Sequence, residues 1–362
     1  MTQPWRGYES SLDATTGGPV AAVFKVENSS HVGEVRRAGE ALSAALGMSE
    51  SERGSLAIIT TEVATNLSRH AKDGRVLLSG TSVPNAVGID VTAIDEGPGI
   101  MNMSRAMEDG YSTAGTSGHG LGAIRRLATS FDIYSRTGDR AGCGTVLVAT
   151  MLAASSVRSL PSSPSNAHML VGTTCVSFDG GRISGDSWMV RASRDRTLAV
   201  VVDGLGHGPE AALASSEAIR IVADSPGAAP AELMELAHTA LRATRGAAIA
   251  IAVVNPSSGA VDFTGIGNIS CSLHSPDGTS RSLASLNGTV GHAIRRVQQF
   301  QYDWPTGGVL VMHSDGITGR WRMDNYPGLL RHHPQLLAAA LYRDALRGRD
   351  DSTIVALSEQ PS

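Results

Sequence analysis

Cysteine is scarce: Cys143, Cys175 and Cys271 are the only three in 362 residues, and no C-x-x-C joins any of them. That excludes a disulfide framework and a cysteine-built zinc site, and it fits a reducing cytoplasm. Positive charge is not in excess, since 30 Lys and Arg against 34 Asp and Glu leave a formal net charge of −4. The basic surplus that nucleic-acid phosphates require is missing. No stretch approaches the ~18 uninterrupted apolar residues of a membrane span, and the start, MTQPWRGYESSLDATTGG, lacks the apolar run of a signal peptide. The expectation is a cytoplasmic protein with neither nucleic acid nor membrane as partner. Aromatics make up only 4%, so cores must be built from Ala, Val, Leu and Ile. Hydrophobic residues at 41% supply that material and exclude whole-chain disorder. Glycine is what is abundant: 41 residues, about 11% against a typical ~7%.

The length suits two domains of the usual ~50–250 residues. Residues 1–19 carry no periodicity and read as a loose tail, and AASSVRSLPSSPSNA, where Ser and Pro dominate, cannot bury a face. A linker over 154–166 therefore divides a domain at 20–153 from one at 167–359. In the first, strands are expected at Ala21–Val26, Arg75–Gly80 and Ala86–Ile94, with helices at Val32–Leu46 and Ser51–His70. In the second, short apolar runs predict strands at His168–Phe178, Ser187–Ala192, Leu198–Val202, Ala248–Val254, Ala260–Ile266, Gly308–His313 and Ser352–Leu357. Helices are expected at Pro209–Ala223 and Pro230–Thr244. The pattern is mixed α+β, and no internal repeat relates the halves.

Within LAIITTEVATNLSRHA, Leu56, Ile59, Val63 and Leu67 make an apolar stripe, while Glu62, Asn66 and His70 fall on a second, polar stripe at i, i+4, i+8. Taken alone, such a stripe is most simply a solvated face. AVGIDVTAIDEGPGI ends a strand at Asp95 and turns through Gly97 and Gly99, where backbone approaches a ligand closely. DGYSTAGTSGHGLGAIRRLA then runs glycines into the start of a helix near Leu121, an arrangement that suits phosphate. In this order, E-V-A-T-N, D-E-G-P-G-I and the glycine segment resemble the N, G1 and G2 boxes of the GHKL ATPase superfamily. The likeness is strongest to its anti-sigma-factor serine kinase branch of RsbT type, and it covers about residues 20–153.

The resemblance implies ATP and Mg²⁺ as cofactors. Asn66 would ligate Mg²⁺, and Glu62 would orient or deprotonate the attacking serine hydroxyl. Asp95 would accept from the adenine amino group, with Gly97 and Gly99 giving room and Thr145 completing the pocket. Gly115, Thr116, Gly118, His119, Gly120, Leu121 and Gly122 would form the lid over the phosphates, His119 either touching a phosphate or facing solvent. His70 reads as packing or a helix-end cap.

In the second half, Asp203 follows the strand LAVVV, Asp315 follows GVLVMH, Asp186 sits in SGDSW, and Asp350 and Asp351 precede STIVAL. Asp-Gly alone is ordinarily a turn signal. Carboxylates delivered to strand ends from distant segments can, however, converge on hard divalent cations. SGDSW, VVDGLGHGPEAALAS, GIGNIS, HSDGIT and RDDSTIVAL resemble the SpoIIE-type and RsbX-type branch of the type 2C metal-dependent protein phosphatases, over about residues 167–359. The implied fold is a GHKL α/β sandwich followed by a type 2C β-sandwich flanked by helices. Two Mn²⁺ or Mg²⁺ ions are implied, with Asp203 bridging them, Asp186 and the Gly204 carbonyl completing one site, and Asp315 with Asp350 or Asp351 the other. The first of that pair matches better. His207 is either a proton donor to the leaving serine oxygen or a structural loop residue, and no phosphate-clamping arginine is assignable.

Together the resemblances imply a kinase and a phosphatase acting on serine or threonine of STAS-domain proteins, anti-sigma-factor antagonists or stressosome components. Two alternatives stay open: an ATP-binding adaptor joined to a phosphatase, and a first domain that holds a sigma-factor pathway protein or another downstream regulator by direct contact.

Overall fold

The computed structural model describes residues 20–81, 87–108, 120–138, 142–157, 169–181, 183–193, 196–255 and 257–359. The chain forms two compact units, divided between Val157 and Met169.

The first unit contains β1 (Ala22–Lys25), α1 (Ser29–Ala45), α2 (Glu50–His70), β2 (Arg75–Gly80), β3 (Gly88–Asp95), α3 (Met103–Ala106), α4 (Gly120–Leu127), β4 (Ser130–Arg136), β5 (Gly144–Leu152) and α5 (Ala154–Val157). Its strands make one antiparallel sheet in the order β1-β2-β3-β5-β4. Both long helices start at side-chain caps. Asn28 accepts from the Ser30 N–H, and Ser49 with Glu52 forms a reciprocal capping box that satisfies two otherwise orphaned N–H groups. The apolar stripes of α1 and α2 then close over the sheet: Leu42, Leu56, Ile59 and Val63 share one core with Leu78, Val91 and Ala149. With that stripe inward, the polar stripe of α2 carrying Glu62 and Asn66 is left only half-buried.

The second unit contains β6 (Met169–Val176), β7 (Asp186–Ala192), β8 (Thr197–Gly204), α6 (Pro209–Asp224), α7 (Pro230–Ala240), β9 (Ala247–Asn255), β10 (Ala260–Ile266), β11 (Ser270–His274), β12 (Ser280–Ser282), β13 (Ser285–Leu286), β14 (Gly288–Thr289), β15 (Ala293–Ile294), β16 (Phe300–Asp303), β17 (Val309–His313), α8 (Pro334–Ala345) and β18 (Ser352–Glu359). Two sheets carry it, β13-β10-β9-β8-β7 with β16 paired to β10, and β12-β11-β17-β18-β6. β8 is apolar without alternation because both of its faces are covered. Ala199 and Val201 join Leu310, Met312 and Val355 in the core between the sheets. Val200 and Val202 join Ala214, Ile219, Leu233 and Met234 under α6 and α7.

The expected elements recur with ends moved by a few residues, while α3, α5, β4, α8 and the short strands β11 to β16 have no counterpart among the expectations. β4 lacks clean alternation, and β11 reads as SCSLH with two serines and a histidine. α8 shows no helical period because every residue in it but Asp344 is buried. It lies so close to β6 that a Cβ on Gly172 would strike the Pro334–Gln335 backbone. There the Gln335 side chain accepts from Thr173 N at 2.6 Å and donates to Thr173 O at 2.7 Å, pairing with a strand backbone as a neighbouring strand would.

Candidate functional site

In the first unit, a cavity of about 820 Å³ opens between α2, the turn after β3, the start of α4 and β5. Glu62, Asn66, Asp95, Gly99, Gly120, Leu121 and Thr145 all line it, so residues from all three glycine- and acid-bearing segments meet at one wall. Asp95 ends β3 buried, opposite Thr145 on β5. Its carboxylate accepts from Gly97 N at 2.7 Å, which fixes the turn. Gly99 has φ +75°, and a Cβ there would strike the Arg136 carbonyl, so only glycine lets this turn lie against β4. A Cβ on Gly120, the first residue of α4, would lie 3.6 Å from the Asn66 amide and 3.9 Å from the Glu62 carboxylate. The helix N-terminus thus faces these two side chains, a place where anionic oxygens are favoured. Gly122 is buried on the inner face of α4, while Gly115, Thr116, Gly118 and His119 lie outside the described residues. His70 and Arg69 also line the cavity.

One residue here escaped the sequence reading. Ser135 Oγ pairs with Thr145 Oγ1 at 2.9 Å and accepts from Ile100 N at 2.8 Å, pinning the glycine turn to the pocket floor. Nothing distinguishes it locally from any strand serine.

In the second unit, the register of β7 on β8 sets Asp186 directly across from Asp203. Gly204 N donates to Gly185 O at 3.0 Å, and a Cβ on Gly204 would strike the Ala211 carbonyl of α6. A Cβ on Gly316 would likewise strike the Asp351 carbonyl. The glycines of the two Asp-Gly pairs are therefore steric necessities at crowded strand ends, and each leaves its aspartate half-buried there. Asn268 holds two of these carboxylates together: it donates to Asp315 Oδ2 at 2.8 Å and hydrogen-bonds Asp203. Ser314 donates to Asp186 Oδ2 at 2.6 Å and accepts from Thr353 N at 3.0 Å. Neither Asn268 nor Ser314 had been given a role, although GIGNIS and HSDGIT contain them.

Asp351 differs from its neighbours. Its Oδ1 accepts from Phe178 N at 2.7 Å and its Oδ2 from Gly185 N at 2.5 Å, so both oxygens are spent on clamping the β6–β7 loop. Asp351 is thus the member of the acidic pair that holds this loop. Asp350, half-buried, accepts from the Asp351 N–H at 2.9 Å. His207 is exposed on the loop between β8 and α6, near enough for its charge to act on Asp179 and Asp350.

The electrostatics follow from crowding like charges into a buried place. Burial, then Asp315, Asp350 and Asp351, push the Asp203 carboxyl up to about 7, against the pull of the Asn268 hydrogen bond. Asp186 is raised by burial and by Asp203, with Ser314 opposing. Among the described residues, no three His, Cys, Asp or Glu side chains are already closed around a single metal position. The donors present are all oxygens, and their mutual repulsion is the condition a hard divalent cation relieves, so this set fits Mg²⁺ or Mn²⁺.

Comparison with known proteins agrees with this geometry in both units. Residues 26–151 match the family model described as histidine kinase-like ATPase domain, and residues 193–359 match that of stage II sporulation protein E (SpoIIE). Over 104 residues the chain is 30% identical to the serine/threonine-protein kinase RsbT of Bacillus subtilis (strain 168), covering 29% of this chain and 78% of that protein. Through its first unit the chain belongs to the histidine kinase-like ATPase family. Its SpoIIE-type unit is 26% identical over 153 residues to the phosphoserine phosphatase RsbX of the same organism, covering 42% of this chain and 76% of the relative. The crystal structure of RsbX in complex with magnesium shares the fold, with a TM-score of 0.50 at 21% identity over 54% of this chain and 97% of that one. No helix among the described residues is long and apolar enough to cross a membrane.

Proposed function

We propose that this chain is a partner-switching regulator that both phosphorylates and dephosphorylates serine or threonine on STAS-domain proteins. The observation that carries the reading is that one chain holds both constellations: Glu62, Asn66, Asp95 and Thr145 around one cavity, and Asp186, Asp203, Asp315 and Asp350 gathered in one carboxylate cluster.

In the kinase reaction, the substrate hydroxyl oxygen attacks the γ-phosphorus of ATP, the bond to the bridging oxygen breaks, and ADP leaves. Glu62, one helical turn from Asn66, takes or orients the hydroxyl proton. Asn66 supplies an oxygen ligand for Mg²⁺. Asp95, held by the Gly97 amide, accepts from the adenine amino group.

In the phosphatase, Asp203 together with Asp186, the Gly204 carbonyl, Asp315 and Asp350 would hold two divalent cations. Bound there, two divalent cations supply Lewis acidity toward a phosphoryl group. Asn268 keeps Asp203 and Asp315 facing each other, and His207 donates a proton to the leaving serine oxygen. RsbT and RsbX support this reading by likeness, and the family resemblance points to STAS-domain substrates.

The test follows labelled γ-phosphate from Mg²⁺-ATP to STAS-domain proteins, comparing wild type, Asp203→Asn and Glu62→Gln. Label that persists only with Asp203→Asn is the expected result, and Glu62→Gln should lose transfer while retaining ATP binding. If no variant labels any STAS protein, the kinase reading fails and the first unit is an ATP-binding adaptor.

A further inference from the structure

Large apolar side chains left in water are ordinary when scattered, and informative when gathered at a site. Among the described residues, Phe178, Ile183 and Leu205 are 56%, 51% and 44% exposed, and all three leave the loops that carry the carboxylate cluster. Their backbone is tied to that cluster. Phe178 N and Gly185 N are bridged by the Asp351 carboxylate, Ile183 O accepts from Ser177 Oγ at 2.8 Å, and Gly204 N, next to Leu205, donates to Gly185 O. Arg245 pairs with Glu210 and lies beside Gly206 of the same rim, and Leu205 N donates to Gly246 O at 3.0 Å. The carboxylate cluster thus has an apolar edge, with the Arg245–Glu210 ion pair beside it.

We propose that Phe178, Ile183 and Leu205 form an apolar collar that docks the polypeptide flanking a phosphoserine, selecting protein segments with apolar side chains within about three residues of it. This rests on the phosphatase reading. In an extended segment, side chains two or three positions from the phosphoserine land about 7–10 Å from it, on the rim when the phosphate is at the carboxylates. A small phosphate ester brings no apolar surface to such an edge and gains nothing from it, whereas a protein segment does.

The test measures kcat/KM with Mn²⁺ on three probes: para-nitrophenyl phosphate, a phosphoserine peptide with Leu at positions −2 and +2, and the same peptide with Ser there. Wild type is expected to favour the Leu peptide about tenfold, as partial burial of two apolar side chains allows. The double variant Phe178→Ser/Ile183→Ser should bring that ratio to about one, with para-nitrophenyl phosphate hydrolysis within about twofold of wild type and an unchanged thermal midpoint. Equal rates on the two peptides, or a preference that survives the double variant, overturn the collar alone. If wild type hydrolyses none of the three probes, the phosphatase reading falls and the collar falls with it.

Discussion

Asp350 and Asp351 are chemically identical neighbours with opposite surroundings. Asp351 is buried and gives both oxygens to backbone N–H groups, while Asp350 stands beside Asp315 and within reach of the His207 charge. Their substitutions should therefore separate. Asp351→Asn places an amide N–H against one of two donors and is expected to cost about 2–3 kcal/mol of second-unit stability, read from chemical denaturation. Asp350→Asn should leave the denaturation midpoint nearly unchanged and lower phosphatase activity by roughly 100-fold. Equal losses of stability in the two variants would show that the clamp and the ligand have been assigned the wrong way round. The sequence shows that an acidic pair precedes a strand. It does not show which member turns inward, because that depends on the β6–β7 loop arriving from residues far away in the chain.

Among the elements, legibility tracks how many faces are buried. α2 exposes one face, so its stripe of Leu56, Ile59, Val63 and Leu67 is readable as a 3.6-residue period, and the polar stripe with Glu62 and Asn66 comes with it. β8 is covered on both sides and reads as a continuous apolar run, which its bounding Asp-Gly turn still marks as a strand. α8 is buried at every residue but Asp344, so PQLLAAALYRDA carries no period, and its Arg343 looks like a surface residue although its side chain is fully buried and paired with Asp344, which also accepts from Tyr326 at 2.9 Å. The docking of α8 depends on the missing side chain at Gly172. Gly172→Ala should force the helix from β6 and destabilise the second unit by about 1–3 kcal/mol, as overpacking does. An unchanged melting profile would mean that α8 yields without cost.

At the scale of the whole molecule, the carboxylate cluster couples stability to pH and to divalent cations. In metal-free protein, Asp203 binds its proton up to about pH 7 when folded but only up to the ordinary carboxylate range when unfolded. Between those limits the folded state holds more protons, so raising the pH destabilises it, and the raised Asp186 acts in the same direction. The denaturation midpoint of the second unit should fall from pH 5 to pH 8, and Mn²⁺ should raise it more at pH 8, where the ligands are already ionised. Tryptophan fluorescence mainly reads this unit, since three of the four tryptophans, Trp188, Trp304 and Trp321, lie in it. A midpoint that is flat or rises with pH in metal-free protein would contradict the crowding of charge described above.

The sequence by itself determined the α+β class and carried the likeness to both families. It did so because glycine turns, strand-ending aspartates and the stripes of α2 are local devices, written in consecutive residues and limited by backbone sterics. Tertiary structure alone decided that Asp351 clamps and Asp350 does not, that Asn268, Ser314 and Ser135 hold the sites together, and that α8 is a core helix. Each of those outcomes depends on burial and on a partner dozens of residues away or more, and neither is encoded in a short stretch of chain.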